Sequence, residues 1–306
     1  MKTTSKLLNR LLLGIGIGTG IAAISHSAHA DQWKLYTTIS DTEGGYANSA
    51  QRDRLSERGL SVSAEYLDQG GLSMGYSKTS IRAKNTTPTT ASIDQSNLLL
   101  SGRLDFRPDA LPGRLSMRLD GHRITGDDIA GDSGDVSVIA PQLSWLSKNE
   151  TLYLDLGYAA SHYQNQLSVR QFTPTVGFGF NAGADWIQLR GYLIGGLSST
   201  RADGKSRTTA LETKWTHYFA SRSALMPASL TLGITAGERI YAVDRDARSV
   251  ANLADLEKGA ATLGLSWNIA KNAKFFALVG QSRYSNSTLS DDYKLNIGHA
   301  GLSFDW

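Results

Sequence analysis

The feature that most limits this chain is a period of two. From Asp31 onward, apolar and polar residues alternate in segments of about ten residues, separated by Gly-, Asn- and Asp-rich breaks. Leu60, Val62, Ala64 and Tyr66 alternate with Ser61, Ser63 and Glu65. Leu98, Leu100, Gly102, Leu104 and Phe106 alternate with Ser101, Arg103 and Asp105. The same holds for Leu115, Met117 and Leu119 against Ser116, Arg118 and Asp120, and for Ala261, Leu263, Leu265 and Trp267 against Thr262, Gly264 and Ser266. Successive side chains of a strand point to opposite faces, so each segment is a strand with one apolar and one polar side. The one helical candidate, Val250 to Lys258, predicts at most a short loop helix.

The alternating segments predict an all-β chain of about fourteen strands, with twelve to sixteen allowed. They centre near Tyr36, Val62, Tyr76, Leu100, Met117, Leu143, Leu154, Val176, Leu189, Thr213, Leu232, Leu263, Leu278 and Ala300. The breaks take turns between two kinds. Short ones span 68–71, 108–113, 148–150, 181–185 and 270–274. Longer, more polar ones span 41–57, 85–93, 125–135, 200–207 and 242–255. Two breaks depart from this rule: the external one after Tyr163 is short, and the internal one at 220–228 is long. Short turns at one end and longer loops at the other are the habit of membrane-spanning barrels.

Residues 1–30 read as a secretory signal peptide and residues 31–306 as the barrel. Lys2, Lys6 and Arg10 precede an apolar stretch, Leu11 to Ile24, and Ala28-His29-Ala30 supplies a small-x-small cleavage pattern. The stretch carries four glycines and is short for a spanning helix. The chain has 31 Lys+Arg and 28 Asp+Glu; three of the basic residues and none of the acidic ones fall in 1–30, leaving 28 of each. A formally neutral chain lacks the clustered positive surface that nucleic-acid binding needs. With no cysteine, thiol catalysis, zinc–thiolate sites and iron–sulfur clusters are excluded.

Alternation does not say which face points outward. The apolar faces carry aromatics near segment ends (Trp33, Tyr66, Phe106, Trp145, Trp186, Trp215 and Trp267), as interfacial girdles require. The polar faces carry charges that would be costly in a dry core but suit a water-filled lumen. These are Arg103, Asp105, Arg118, Asp120, Asp155, Arg190, Glu212, Lys214 and Arg239, with His122 beside them. At the end of the sequence, Ala300, Leu302, Phe304 and Trp306 alternate with Gly301, Ser303 and Asp305. This tail resembles the last strand of bacterial outer-membrane β-barrels, and with the leader and the strand pattern it extends the resemblance over nearly the whole chain. The resemblance implies a transmembrane antiparallel up-and-down barrel in the outer membrane. It also implies that Leu302, Phe304 and Trp306 are an assembly signal read by the barrel-assembly machinery. Outer-membrane lipid and lipopolysaccharide would be further partners.

No catalytic site is expected. Ser116, Asp120 and His122 share one face of a strand, but neither His122-Arg-Ile-Thr nor His299-Ala-Gly-Leu matches the His-x-Ser-Asn-Gly type of motif of outer-membrane phospholipases. The acidic run Asp127, Asp128, Asp132 and Asp135 lacks EF-hand spacing and reads as a solvated loop, with no metal. Arg54, Arg58, Arg82 and Arg170 fall near external strand ends, where contact with lipid phosphates and plain surface placement are both open readings. No cofactor is expected. A lumen of fourteen strands lies between the filled eight-stranded barrels and the open pores of 16–18 strands. The expected function is therefore a porin-like channel passing small polar solutes through a lumen of mixed charge. The alternatives are a non-channel barrel for surface assembly, export or adhesion, and, behind it, a lipid-modifying enzyme.

Overall fold

The computed structural model describes residues 33–306 other than 68, 85–90, 129–132, 165, 198–201 and 221–224. The signal-peptide reading of 1–30, and Asp132 of the acidic run, lie outside the described residues. Fourteen strands form the wall. They are β1 (Trp33–Ala47), β2 (Arg52–Tyr66), β3 (Gly70–Ala83), β4 (Ile93–Phe106), β5 (Gly113–Gly126), β6 (Val136–Ser147), β7 (Leu152–His162), β8 (Ser168–Phe180), β9 (Asp185–Gly195), β10 (Arg207–Tyr218), β11 (Ser229–Gly237), β14 (Leu256–Ala270), β15 (Ala273–Asn286) and β16 (Asp291–Asp305). Two further short strands, β12 (Val243–Asp244) and β13 (Ser249–Val250), pair with each other as a separate ribbon.

The wall strands follow chain order and close where β16 pairs antiparallel with β1, Thr42 opposite His299 and Thr38 opposite Ser303. All fourteen predicted centres fall inside a wall strand. Closure removes the unpaired edges that an open sheet of this length would expose.

The apolar set faces out all round the wall. Leu72 on β3 is 66% exposed and Ile234 on β11, far round the ring, is 63% exposed; Leu100, Met117, Ile139, Leu193 and Val279 share the pattern. Their polar neighbours face in and are largely buried, including Asp120, Asp155, Arg190 and Glu212. Inside-out placement of this kind is stable only when the outer face meets lipid, which makes this the architecture of a membrane-spanning β-barrel.

Three expectations are corrected. The break at 41–57 is mostly strand: β1 runs to Ala47 and β2 starts at Arg52, and with polar residues on both faces this end of the hairpin shows no apolar alternation to mark it. Trp186 does not sit on the apolar face. Its register opposite Thr216 puts it on the inner side with Gln188 and Arg190, where its ring lies against Gly177 and Gly179, so a Cβ at either would crowd it. The segment 242–255 is neither a polar external loop nor the start of a helix. It forms the β12–β13 ribbon, and β14 takes over at Leu256.

Candidate functional site: a lumen narrowed by an infolded strap

The connection from β11 to β14, residues 238–255, turns into the barrel. Its first half is apolar. Ile240, Tyr241, Ala242 and Val243 are all buried in one cluster with inward residues of the wall: Val136 and Val138 of β6, Val169 of β8, and Tyr192 and Ile194 of β9. The Tyr163 and Tyr241 rings meet at 4.8 Å between centroids. These inward positions of β5–β10 interrupt the polar lumen with an apolar patch, and the strap covers it. The hydrophobic effect thus supplies the adhesion and polar contacts supply the position.

Those polar contacts are specific. The Gln171 side chain treats Val243 as a strand would: its Nε2 donates to the Val243 carbonyl at 2.8 Å and its Oε1 accepts from the Val243 amide at 3.0 Å. At the tip of the ribbon, the Asp244 carboxylate accepts from the amides of Asp246 and Ala247. The turn then closes through Arg248 with φ of 52°, in the left-handed region. Arg245 points back to the wall, 3.6 Å from Asp155 and with only 3% of its side chain exposed. Asp246 is held by Arg190 at 2.8 Å and Lys214 at 3.2 Å. Burial disfavours the Asp246 charge, but these two cations and their hydrogen bonds more than offset it and hold the carboxyl well below the ordinary carboxylate range. The C-terminal end of the strap is tied by Arg52 and Asn286 to Asp255 and by Asn252 to the Ser133 carbonyl.

Each sequence-predicted charge lies in this interior. Arg103 pairs with Asp105 at 3.0 Å and with Glu65 at 3.4 Å. Arg118 grips Asp120 through two contacts, at 2.7 and 2.8 Å, and also reaches the Arg245 carbonyl. Arg190 joins Glu212, Asp244 and Asp246; Lys214 joins Glu212 and Asp246. Asp155 takes Gln142 and Arg245. Arg239 lies just past β11 and pairs with Glu257 at 2.8 Å, its guanidinium 5.0 Å from the centre of the Tyr192 ring. His122 is buried on the same face of β5. The candidate grouping of Ser116, Asp120 and His122 does not converge, because Ser116 donates to Asp105 and Arg118 occupies Asp120.

The strap does not fill the barrel. Between its tip and the inner faces of β1–β4, β15 and β16 remains a cavity of about 470 Å³. Thr38, Ser40, Ser61, Ser77 and Asn97 present hydroxyls and an amide among apolar neighbours such as Leu55, Leu99 and Phe276, and Arg248 lies on the strap side. Among the described residues Arg248 makes no ion pair. Gln171 on the wall, and Arg245, Asp246 and Arg248 on the strap, were not legible as site residues. The signal for them was Ile240-Tyr-Ala-Val243, an apolar tetrad that runs into the polar break at 242–255.

Leu302, Phe304 and Trp306 occupy the outer face of the closing strand. The Trp306 amide donates to the Leu35 carbonyl at 3.0 Å, and its indole Nε1 donates to Thr37 Oγ1 at 3.1 Å, so the tail is stitched directly onto β1.

No family model matches the chain, and no curated protein is detectably similar to it. Solved structures similar in fold are barrels. OccK7 (OpdD) of Pseudomonas aeruginosa is 10% identical with a TM-score of 0.45, covering 90% of this chain and 99% of that one. Omp33 of Acinetobacter baumannii, an outer membrane protein, is 7% identical with a TM-score of 0.44, covering 89% and 99%. The KdgM porin is 11% identical with a TM-score of 0.38, covering 87% and 98%.

Proposed function

We propose that this protein is an outer-membrane channel for small polar solutes, narrowed by its own β11–β14 strap and assigned no catalytic step. The observation that carries the reading is the strap itself: it is pinned inside a closed barrel and leaves beside it a cavity lined by hydroxyls together with apolar side chains. A cavity of about 470 Å³ falls within the ~300–1,000 Å³ range of small-molecule sites, which favours sugars, amino acids and solutes of like size over polymers. Arg103, Asp105, Arg118, Asp120, His122, Asp155, Arg190, Glu212, Lys214 and Arg239 serve as lumen residues. Asp155, Arg190, Lys214 and Arg239 set the ion pairs between wall and strap, whereas Arg248 offers its charge to a passing solute.

Because the lumen charges are mostly paired, opposite signs cancel within a Debye length of about 8–10 Å, and selectivity between small cations and anions is weak. Leu302, Phe304 and Trp306 act as the assembly signal, offered to the barrel-assembly machinery before β16 closes on β1. The test is reconstitution: refolded protein in planar bilayers gives discrete conductance steps, and liposomes carrying it swell in small sugars but not in large ones. Folded protein that is silent in both assays sinks the channel reading.

A further inference from the structure

The outer wall of β2 and β3 carries opposed like charges at its external end. On β3 the apolar outer face of Leu72, Met74 and Tyr76 gives way to Lys78, at the same level as on β4, where Leu98 lies opposite Tyr76 and Ser96 opposite Lys78. Above that apolar face, three successive cross-strand pairs share the outer side. Arg58 lies opposite Lys78, Ser56 opposite Ser80, and Arg54 opposite Arg82. Like charges placed directly opposite are destabilising in a sheet, and here two such pairs stand one above the other.

Internal acids do not balance them. Arg58 reaches Asp41 at 3.4 Å and Arg82 reaches Asp94 at 3.8 Å, both exposed contacts of little strength. Arg54 and Lys78 make no ion pair among the described residues. Four cations thus face outward, against Asp41, Asp94 and, two residues on from Asp41 on the same face of β1, Glu43, and the hydroxyls of Ser56 and Ser80 lie in the middle. Each step of two residues along a strand is roughly 6.6 Å, so the two cation pairs stand roughly 13 Å apart.

We propose that this strip binds a membrane lipid whose headgroup carries more than one phosphate, one phosphate at each cation pair. The proposal rests on the outer-membrane reading, which puts such lipids against the external half of the wall. Arginine forks and lysine ammonium groups are the usual partners of phosphate oxygens. Lipid phosphate would also remove the like-charge penalty, and the apolar faces of β3 and β4 both end at the level of Tyr76 and Leu98, which sets Lys78 just above them.

The test is native mass spectrometry of the detergent-folded protein titrated with diphosphoryl lipid A, monophosphoryl lipid A and phosphatidylglycerol. The unaltered protein retains the diphosphoryl lipid in preference to the other two. The double variants Arg58→Ser with Lys78→Ser, and Arg54→Ser with Arg82→Ser, weaken that binding by about tenfold or more, the scale of losing one or two charge-assisted hydrogen bonds. Arg170→Ser, on the outer face of β8, leaves it unchanged. Equal retention of all three lipids, or equal loss in the Arg170 variant, overturns the proposal by showing unspecific charge attraction. Failure of the outer-membrane reading shows separately, as protein that never forms a heat-modifiable barrel in detergent, and takes this proposal with it.

Discussion

The Arg245 guanidinium reaches the Asp155 carboxylate at 3.6 Å through a space that exists because residue 157 is glycine. Gly157 lies on the inner face of β7, two residues above Asp155, and a Cβ there would overlap the guanidinium. One missing methyl group in the wall therefore admits the pin that holds the strap.

Gly157→Val should release the strap without harming the wall, since a β-branched residue suits a strand. The expected outcome is a normal heat-modifiable barrel with larger single-channel steps. Unchanged conductance would show that Arg245 is not what seats the tip.

Arg190→Ala should act more strongly. The Arg190 side chain is 3% exposed and its removal leaves Glu212, Asp244 and Asp246 gathered around Lys214 alone. The strap loses its 2.8 Å contact between Arg190 and Asp246 and is held on this side by Lys214, so its tip undocks. Conductance rises, and selectivity moves towards cations because three acids now outnumber one lysine. Reversal-potential measurements in a salt gradient read this directly.

Arg248→Ala should shift selectivity towards cations with little change in strap position, since Arg248 makes no ion pair among the described residues. Asp155→Asn should shift it the other way, leaving Arg245 uncompensated. Equal reversal potentials for the two variants would count against the lumen assignment.

The strap should not open in mild acid. The Asp246 carboxyl is depressed below its ordinary value of 3.8, so its contribution is fully present above that pH and is lost only as pH falls through the lower, folded-state value. Conductance is therefore expected to be flat between about pH 5 and 8, where ordinary carboxylates are already charged. A conductance rise centred near pH 6 would contradict the Arg190–Asp246–Lys214 latch.

Trp306→Ala, alone or with Phe304→Ala, should reduce assembly far more than it changes conductance of the barrels that do form. Trp306 is bonded to β1 through Leu35 and Thr37, at the short-turn end of the closing seam. The check is the amount of heat-modifiable protein in the outer-membrane fraction.

Much of the wall was legible because period-two alternation is a direct image of strand geometry, and Leu98–Phe106 or Leu115–Leu119 carry it without interruption. The strap was not, because nothing local in Ile240–Val243 says whether its apolar side chains meet lipid, a helix or a lumen patch. That patch is assembled from Val138, Val169 and Tyr192, far apart in sequence, and only closure of the ring brings them together. Trp186 misled for a related reason: an aromatic at a strand end signals a girdle, but parity puts this one inside, over Gly177. The lumen charges were visible as inward-parity residues, while their partners on the strap were not.

The most direct test of a channel narrowed from within is single-channel recording of the full-length barrel beside a variant in which residues 241–253 are replaced by a short Gly/Ser link. Small, discrete steps are expected for the unaltered protein and markedly larger ones for the shortened strap, with both proteins equally heat-modifiable. Identical conductance in the two, or none in either, would contradict a lumen narrowed by the strap.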